Sequence, residues 1–210
     1  MKIDWFPLGP LQTNAFLLTC EGTGKSVIID PGGTSPELFT ALEATSLTAV
    51  VLTHGHFDHI GGVGDITERF DVPVMIHSRD EHMLYDPVAN GSQSFIDPMT
   101  VSCNVSLMSQ NDTVTFGESN LLVAHTPGHT PGCVSFIGDG LVFSGDTLFR
   151  GAVGRWDLPG GDYSVLMQSL RDTYIGMDDS IEVYPGHGDS TTMAHEKRTN
   201  PFLLNLSDAR

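Results

Sequence analysis

The sequence predicts an α/β protein built in layers, with β-sheets at the centre and helices outside. Three observations carry this expectation. Short apolar runs rich in β-branched residues recur along the 210 residues, bounded by Gly, Pro, Asp or Thr. Helical patterns with one apolar face fall between these runs. The order is strands, a helix, more strands and another helix.

The first strands cover 15–18, 26–29, 49–52 and 72–76. Ser35 and Pro36 read as an N-cap followed by proline at the first helical position, and Leu38, Ala41 and Leu42 share one face of that helix. A further helix starts near His59 and runs to Phe70. Residues 86–100 have many turn formers and no clear period, so they read as a long loop, a class that is often functional when ordered. The second set of strands covers 112–116, 120–124, 133–137, 141–144 and 181–184. Before the last of these, Asp162 caps a helix whose Val165, Leu166, Leu170 and Thr173 line one side. No repeat, low-complexity tract or linker divides the chain, so residues 1–210 read as one domain. A chain of this length buries about 70% of its unfolded surface, enough for a core without staples.

Composition narrows the function. With 26 acidic and 10 basic residues the formal charge is −16. A nucleic-acid partner needs clustered Lys and Arg, and no basic stretch here exceeds the pair Lys197-Arg198. Cys20, Cys103 and Cys133 are odd in number and show no C-x-x-C spacing, which fits a reducing compartment. Asp4, Pro7, Gly9 and Pro10 fall where a signal peptide needs a continuous apolar stretch. No apolar run approaches the roughly 20 residues of a membrane span. The expectation is a soluble cytoplasmic protein with neither a membrane nor a nucleic-acid partner.

The nine histidines are unevenly spread. His54, His56, Asp58 and His59 form an H-x-H-x-D-H motif just after the run 49–52. Imidazole and carboxylate together suit zinc, iron or manganese, and Gly55 lets the chain turn so that alternate side chains converge. Three later strand ends carry a residue of ligand type directly after glycine: His129, Asp146 and His187. Any one of these alone fits an ordinary turn residue. His77, His82 and His195 lack such a setting, and His125 reads as structural.

These stretches together resemble the metallo-β-lactamase superfamily. The resemblance spans nearly the whole chain: Ile28-Ile29-Asp30-Pro31-Gly32, then H-x-H-x-D-H, then His129, Asp146 and His187 in the family's order. It implies an αββα sandwich with metals at one edge of the two packed sheets. It also implies that His54, His56 and His129 hold one divalent ion, that Asp58, His59 and His187 hold a second, and that Asp146 bridges them. Zinc is the expected metal, with iron or manganese as alternatives. The stretches 129–132, 145–149 and 154–157, and the tail 196–203, further resemble the compact glyoxalase II-like hydrolases. Those are hydroxyacylglutathione hydrolases without the C-terminal helical domain of the longer enzymes.

The implied activity is hydrolysis of thioesters of the S-(2-hydroxyacyl)glutathione type, a small-molecule substrate. Two divalent ions about 3.5–4 Å apart can share a water and bring its pKa from about 15.7 toward 7, supplying hydroxide at neutral pH. Asp58 is the expected catalytic residue, binding a metal and accepting a hydrogen bond from the nucleophilic water. Asp30 reads either as a turn before Pro31-Gly32 or, as the resemblance implies, as a support that orients ligand rings. Arg155 reads either as a solvated surface residue or, as the resemblance to glyoxalase II-like hydrolases implies, as the substrate-binding cation that pairs with a carboxylate of the thiol. Arg150 is a weaker candidate for that role, and Tyr85, Phe95 and Met99 lie where they can wall a pocket.

The competing reading is a mononuclear iron persulfide dioxygenase of the same fold, with counterparts of His54, His129 and Asp146 as its ligands. The run 156–162 and the Asn200-Pro201-Phe202-Leu203 tail favour the hydrolase. Other members of the superfamily fit less well. Quorum-signal lactonases carry tyrosine where this chain has Phe149, and the superfamily's nucleases carry extra nucleic-acid-binding domains.

Overall fold

The structure is a computed structural model that describes residues 1–207. Two six-stranded sheets form its centre. The first holds β1 (Lys2–Leu8), β2 (Thr13–Thr19), β3 (Lys25–Ile29), β4 (Ser46–Val51), β5 (Val74–His77) and β6 (Val105–Met108), in that order. Pairing is antiparallel across β1, β2 and β3, and parallel from β3 to β6. The second half of the chain supplies β7 (Thr113–Phe116), β8 (Ser119–His125), β9 (Val134–Gly138), β10 (Leu141–Gly145), a small hairpin of β11 (Leu148–Phe149) and β12 (Ala152–Val153), then β13 (Glu182–Pro185) and β14 (Thr191–Thr192). The second sheet runs β14-β13-β10-β9-β8-β7.

The period-2 alternation of the strands sorts their side chains into three cores. Phe16, Leu18, Val27, Ile29 and Val51 point inward from the first sheet and meet Phe116, Val123, Phe136 and Phe143 of the second. Phe16 and Phe143 pack with ring centroids 5.1 Å apart. The alternate residues Leu17, Ile28, Val50 and Leu52 face outward and are covered by helices α1 (Pro36–Glu43), α2 (Phe57–Ile60) and α3 (Val63–Phe70). On the other outer face, Val142 and Val183 are covered by α5 (Tyr163–Ser169), α6 (Met193–Thr199) and α7 (Pro201–Ser207). A fourth short helix, α4 (Ser92–Phe95), lies in the long loop. The order of layers is therefore helix, sheet, sheet, helix, the αββα sandwich.

The expected strands are present, each shifted by at most a few residues. The sequence reading lacked β1 and β6, which are the two edges of the first sheet, and the two-residue strands β11, β12 and β14. Edge strands bury only one face, and Trp5 and Leu107 are exposed, so neither strand has a clean apolar run. The α1 cap is as expected: Ser35 Oγ accepts the Leu38 amide at 3.1 Å, and Leu38 and Leu42 are buried.

Two helix expectations need correction. The helix expected over 59–70 is two helices, α2 and α3, separated at Gly61-Gly62. Both glycines lie against the turn after β3. A Cβ on Gly61 would sit 2.5 Å from Gly32 O, and one on Gly62 would sit 2.3 Å from Gly33 O. The approach of these two backbones requires the glycines, and the continuous apolar pattern hides the break. The helix capped by Asp162 buries Leu166, Met167, Leu170 and Tyr174, whereas Val165 is exposed and Thr173 only half-buried. Beyond Ser169 it widens into a π turn over Leu170–Tyr174. A wider turn favours a spacing of four, as in Leu166, Leu170 and Tyr174, over the ideal period of 3.6.

Candidate metal centre

The candidate ligands all leave the C-terminal ends of strands, where an α/β sheet opens a crevice. His54, His56, Asp58 and His59 follow β4; His129 follows β8; Asp146 follows β10; His187 follows β13. Asp30 fixes the first loop. Its Oδ1 accepts the Thr53 amide at 2.8 Å and its Oδ2 accepts Thr53 Oγ1 at 2.6 Å. The same Oδ2 lies 3.0 Å from His59 Nδ1. Asp30 holds the left-handed φ of 47° in doing so. Of its two sequence readings, the support for a ligand ring is the one the geometry bears out.

Glycine before the later ligands serves close approach. A Cβ on Gly186 would sit 2.3 Å from Asp146 Oδ1 and 2.8 Å from His59 Cε1. Gly145 has φ 49°, and a Cβ there would sit 2.5 Å from Thr53 Oγ1. His129 Nδ1 donates to the Arg155 carbonyl at 2.6 Å. A carbonyl can only accept, so the proton sits on Nδ1 and Nε2 faces the cluster as an acceptor.

Three sets of donor atoms form, each within 4.8 Å of one another: His54, His56 and His129; Asp58, His59 and His187; and His54, His59 and Asp146. His187 Nε2 is 3.1 Å from Asp58 Oδ2. Asp146 reaches both sides of the cluster, with Oδ1 3.3 Å from His59 Nε2 and Oδ2 3.5 Å from His129 Nε2 and 3.7 Å from His187 Nε2. His56 Nδ1 and His129 Nε2 are 2.9 Å apart. Thr13 Oγ1 donates to Asp58 Oδ2 at 3.2 Å.

The donor set fits divalent metal. His54 Nε2, His59 Nε2 and Asp146 Oδ1, which make up one of the three donor sets, are buried and make no hydrogen bond of good geometry, and the same holds for His59 Nδ1 beside Asp30. Buried polar atoms are normally paired, and three unpaired atoms converging on one point suit a cation. The electrostatics agree. Burial, then the neighbouring rings, hold His54 well below the usual imidazole range. Burial and His129 bring His56 down to about 3. These two rings are therefore neutral, as a metal ligand must be. Burial pushes Asp58 and Asp146 up, but the adjacent rings more than offset it, so both carboxyls lie below their ordinary value and are ionised. Burial pulls His59 down, and Asp146, Asp58 and Asp30 outweigh it. For His187 burial is likewise outweighed, by its hydrogen bond to Asp58 and the charge of Asp146.

The cluster floors a cavity of about 590 Å³. Phe57, Val88 and Phe95, from α2 and the long loop, line it, and so do Phe149, Val153 and Leu158, from the β11–β12 hairpin and the segment after it.

A family model described as the metallo-beta-lactamase superfamily matches residues 8–192. The chain belongs to the metallo-β-lactamase superfamily. It is a metal-dependent hydrolase of that superfamily. The hydroxyacylglutathione hydrolase GloC of Haemophilus influenzae is 33% identical over 99% of this chain and 100% of its own length. The crystal structure of the BLEG-1 B3 metallo-β-lactamase superposes with a TM-score of 0.90 at 39% identity, covering 96% of this chain and 99% of that one. A structure of TTHA1623 in a di-iron-bound form superposes with a TM-score of 0.83 at 39% identity, over 95% of this chain and 100% of that one.

All seven residues that the superfamily resemblance selected converge on one point. Arg155 lines the cavity, but its exposed guanidinium lies on Asp157, with Nε and Nη2 each donating at 2.9 Å. Arg150 pairs with Asp189 and lines a separate cavity beside Trp5 and Tyr184. Of the three candidate wall residues only Phe95 lines the cavity; Met99 packs on the outer core and Tyr85 is exposed elsewhere. His125 Nε2 lies 2.9 Å from the Pro131 carbonyl and its ring stacks on His77, which is structural work.

Sequence reasoning missed Asp80, which is fully buried. Its carboxylate accepts Thr130 Oγ1 at 2.5 Å and the Gly132 amide at 2.6 Å, and also bonds the Gly55 amide. It thereby fastens the H-x-H loop to the His129 loop. Asn14 was missed as well: its Nδ2 donates to Pro185 O and Gly188 O, on either side of His187. Neither residue sits in a motif, so no local signal points to it.

Proposed function

We propose that this protein is a metal-dependent thioesterase that cleaves thioesters of the S-(2-hydroxyacyl)glutathione type. The convergence of seven His and Asp side chains into three overlapping donor sets, with Asp146 within 3.7 Å of His59, His129 and His187, carries this reading. In it, His54, His56 and His129 would hold one divalent ion and Asp58, His59 and His187 the other. Likeness to the GloC hydrolase supports the thioester as substrate. Zinc is the proposed metal, and iron is also supported by the di-iron form of TTHA1623.

Bound divalent ions supply Lewis acidity and a water of lowered pKa. The chain does the rest. Asp58, ionised and steadied by Thr13, accepts a hydrogen bond from the attacking water and aims it. Asp30 and the Arg155 carbonyl hold the rings of His59 and His129 in orientation. The apolar walls exclude bulk water from the carbonyl. The Arg155–Asp157 pair is exposed and therefore weak, so a substrate carboxylate can displace Asp157. The thiolate leaves without needing a general acid, because a thiol pKa is about 8.5. The free cysteines suit a reducing cytoplasm, and residues 1–210 are taken as one catalytic domain.

The test is hydrolysis of S-lactoylglutathione by metal-loaded and chelator-stripped protein, read as thiol release. Metal-dependent release supports the reading. Its absence from protein shown to hold metal overturns it. Oxygen uptake with glutathione persulfide by iron-loaded protein would then favour the dioxygenase. Nitrocefin cleavage, measured alongside because of the likeness to BLEG-1, would favour a lactamase.

A further inference from the structure

We propose that the acyl half of the thioester is an apolar chain longer than lactoyl, seated on a preformed wall of Phe57, Val88 and Phe95. The proposal rests on the thioesterase reading and specifies its substrate. The first support is the wall itself. Phe95 is 61% exposed and Val88 57% exposed, and both line the cavity over the candidate ligands. Phe95 stacks on Phe57 with centroids 5.8 Å apart and an interplanar angle of 19°. Phe57 directly precedes Asp58, so the apolar surface runs from the reacting centre to the rim. Exposed aromatic surface lining one crevice is what an apolar ligand covers.

The second support is that the loop is built to hold this wall in place. Asn90 is fully buried. Its Nδ2 donates to Met83 O at 2.9 Å and Met99 O at 3.0 Å, and its Oδ1 accepts the Ser92 amide at 2.9 Å. Its carbonyl accepts the Phe57 amide, also at 2.9 Å, which ties the loop to α2. A wall fixed before binding loses little entropy when a ligand arrives.

The third support is charge. Among the described residues lining the cavity, Arg155 is the one with a guanidinium or ammonium group, and it follows the β11–β12 hairpin rather than lying in the loop that carries Val88 and Phe95. The carboxylate-bearing thiol therefore takes the Arg155 side, and the acyl group is left the Phe95 side. A lactoyl group, with one methyl, leaves most of that wall uncovered.

The experiment compares acetyl, lactoyl, butanoyl, hexanoyl and octanoyl thioesters of glutathione on the metal-loaded full chain. Each added methylene buried on this wall is worth roughly a two- to fourfold gain. We expect kcat/KM to rise at least about tenfold from acetyl to hexanoyl, mostly through KM. Phe95→Ala and Val88→Ser, both at exposed positions, should flatten that rise. Calorimetric binding of S-methylglutathione and S-hexylglutathione gives a readout without turnover: the hexyl thioether should bind tighter to the wild type than to Phe95→Ala. A flat or falling acyl series, or a rise that survives both substitutions, overturns the proposal. If no thioester is cleaved, the thioesterase reading falls and thioether binding alone decides the apolar wall. Tighter hexyl binding lost in Phe95→Ala keeps the wall; equal binding of the two thioethers removes it.

Discussion

Asp58 and Asp80 are both buried carboxylates beside the candidate centre, yet they do different work. Asp58 faces the cavity and His187, so its charge is available to the reacting water. Asp58→Asn keeps the shape and loses the charge. We expect normal folding by circular dichroism and turnover reduced at least about tenfold; wild-type turnover would remove Asp58 from the reaction. Asp80 is not part of the lining of that cavity. It accepts donors from the two loops that carry His54, His56 and His129, and burial holds its carboxyl above the ordinary value. Asp80→Ala strands the Gly132 amide and leaves the Thr130 hydroxyl only the Cys133 sulfur as partner. A loss of about 2–3 kcal/mol is expected in urea unfolding, together with roughly 10–100-fold weaker metal binding in a competition titration. Unchanged metal affinity would leave Asp80 a purely structural residue. His77 offers a pH test. Burial, then the neighbouring His125 and Arg79, bring it down to about 4. The unfolded chain therefore binds more protons between pH 4 and 6.5, so this contribution to stability is complete above about pH 6.5 and fades as pH falls toward 4. His77→Gln should shrink the loss of stability between pH 7 and 4, and an identical acid profile for both proteins would contradict this.

At the scale of elements, the C-terminal tail resembles a motif in the sequence, and the fold shows what it holds. Glu196, fully buried in α6, accepts the Gly151 amide at 2.8 Å and Thr191 Oγ1 at 2.7 Å. Asn200 donates to Ala152 O at 3.1 Å and to Glu196 Oε2 at 2.8 Å. Both clamp the turn between β11 and β12, whose Phe149 and Val153 line the cavity. Asn200→Ala should therefore cost about 1–3 kcal/mol in stability and raise KM more than it lowers kcat. A stability loss with KM unchanged would confine the tail to structure. The break between α2 and α3 belongs to the same scale. Gly61 and Gly62 were visible in the sequence, but a glycine pair does not say which backbone comes near. The answer, the Gly32-Gly33 turn, depends on β3 lying beside β4.

At the scale of the whole molecule, folding places three carboxylates and five imidazoles in one buried volume, from segments spread between Asp30 and His187. Metal that binds this arrangement and not the unfolded chain stabilises the fold, by about 2.7 kcal/mol at a hundred times its dissociation constant. Stripping the metal with chelator should lower Tm by at least about 5 °C, since a chain of this size shifts roughly 2–4 °C per kcal/mol. Equal Tm values before and after verified removal would show that these side chains do not hold a stabilising metal.

The sequence by itself determined nine of the strands, the α1 and α5 caps and the layered class, and its resemblance to the superfamily selected the seven residues of the candidate centre. Each of these follows from local information: alternation along a strand, a capping side chain, or a short motif of ligand-type residues. The tertiary structure decided what brings those residues together and what surrounds them. Asp80, Asn14 and Asn90 act on backbone far from themselves or inside an irregular loop, and no local period marks them. The edge strands β1 and β6 and the wall of Phe57, Val88 and Phe95 likewise exist only once sheets and loops are packed. A polar strut or an apolar wall is defined by its partners, and those partners are chosen by the fold.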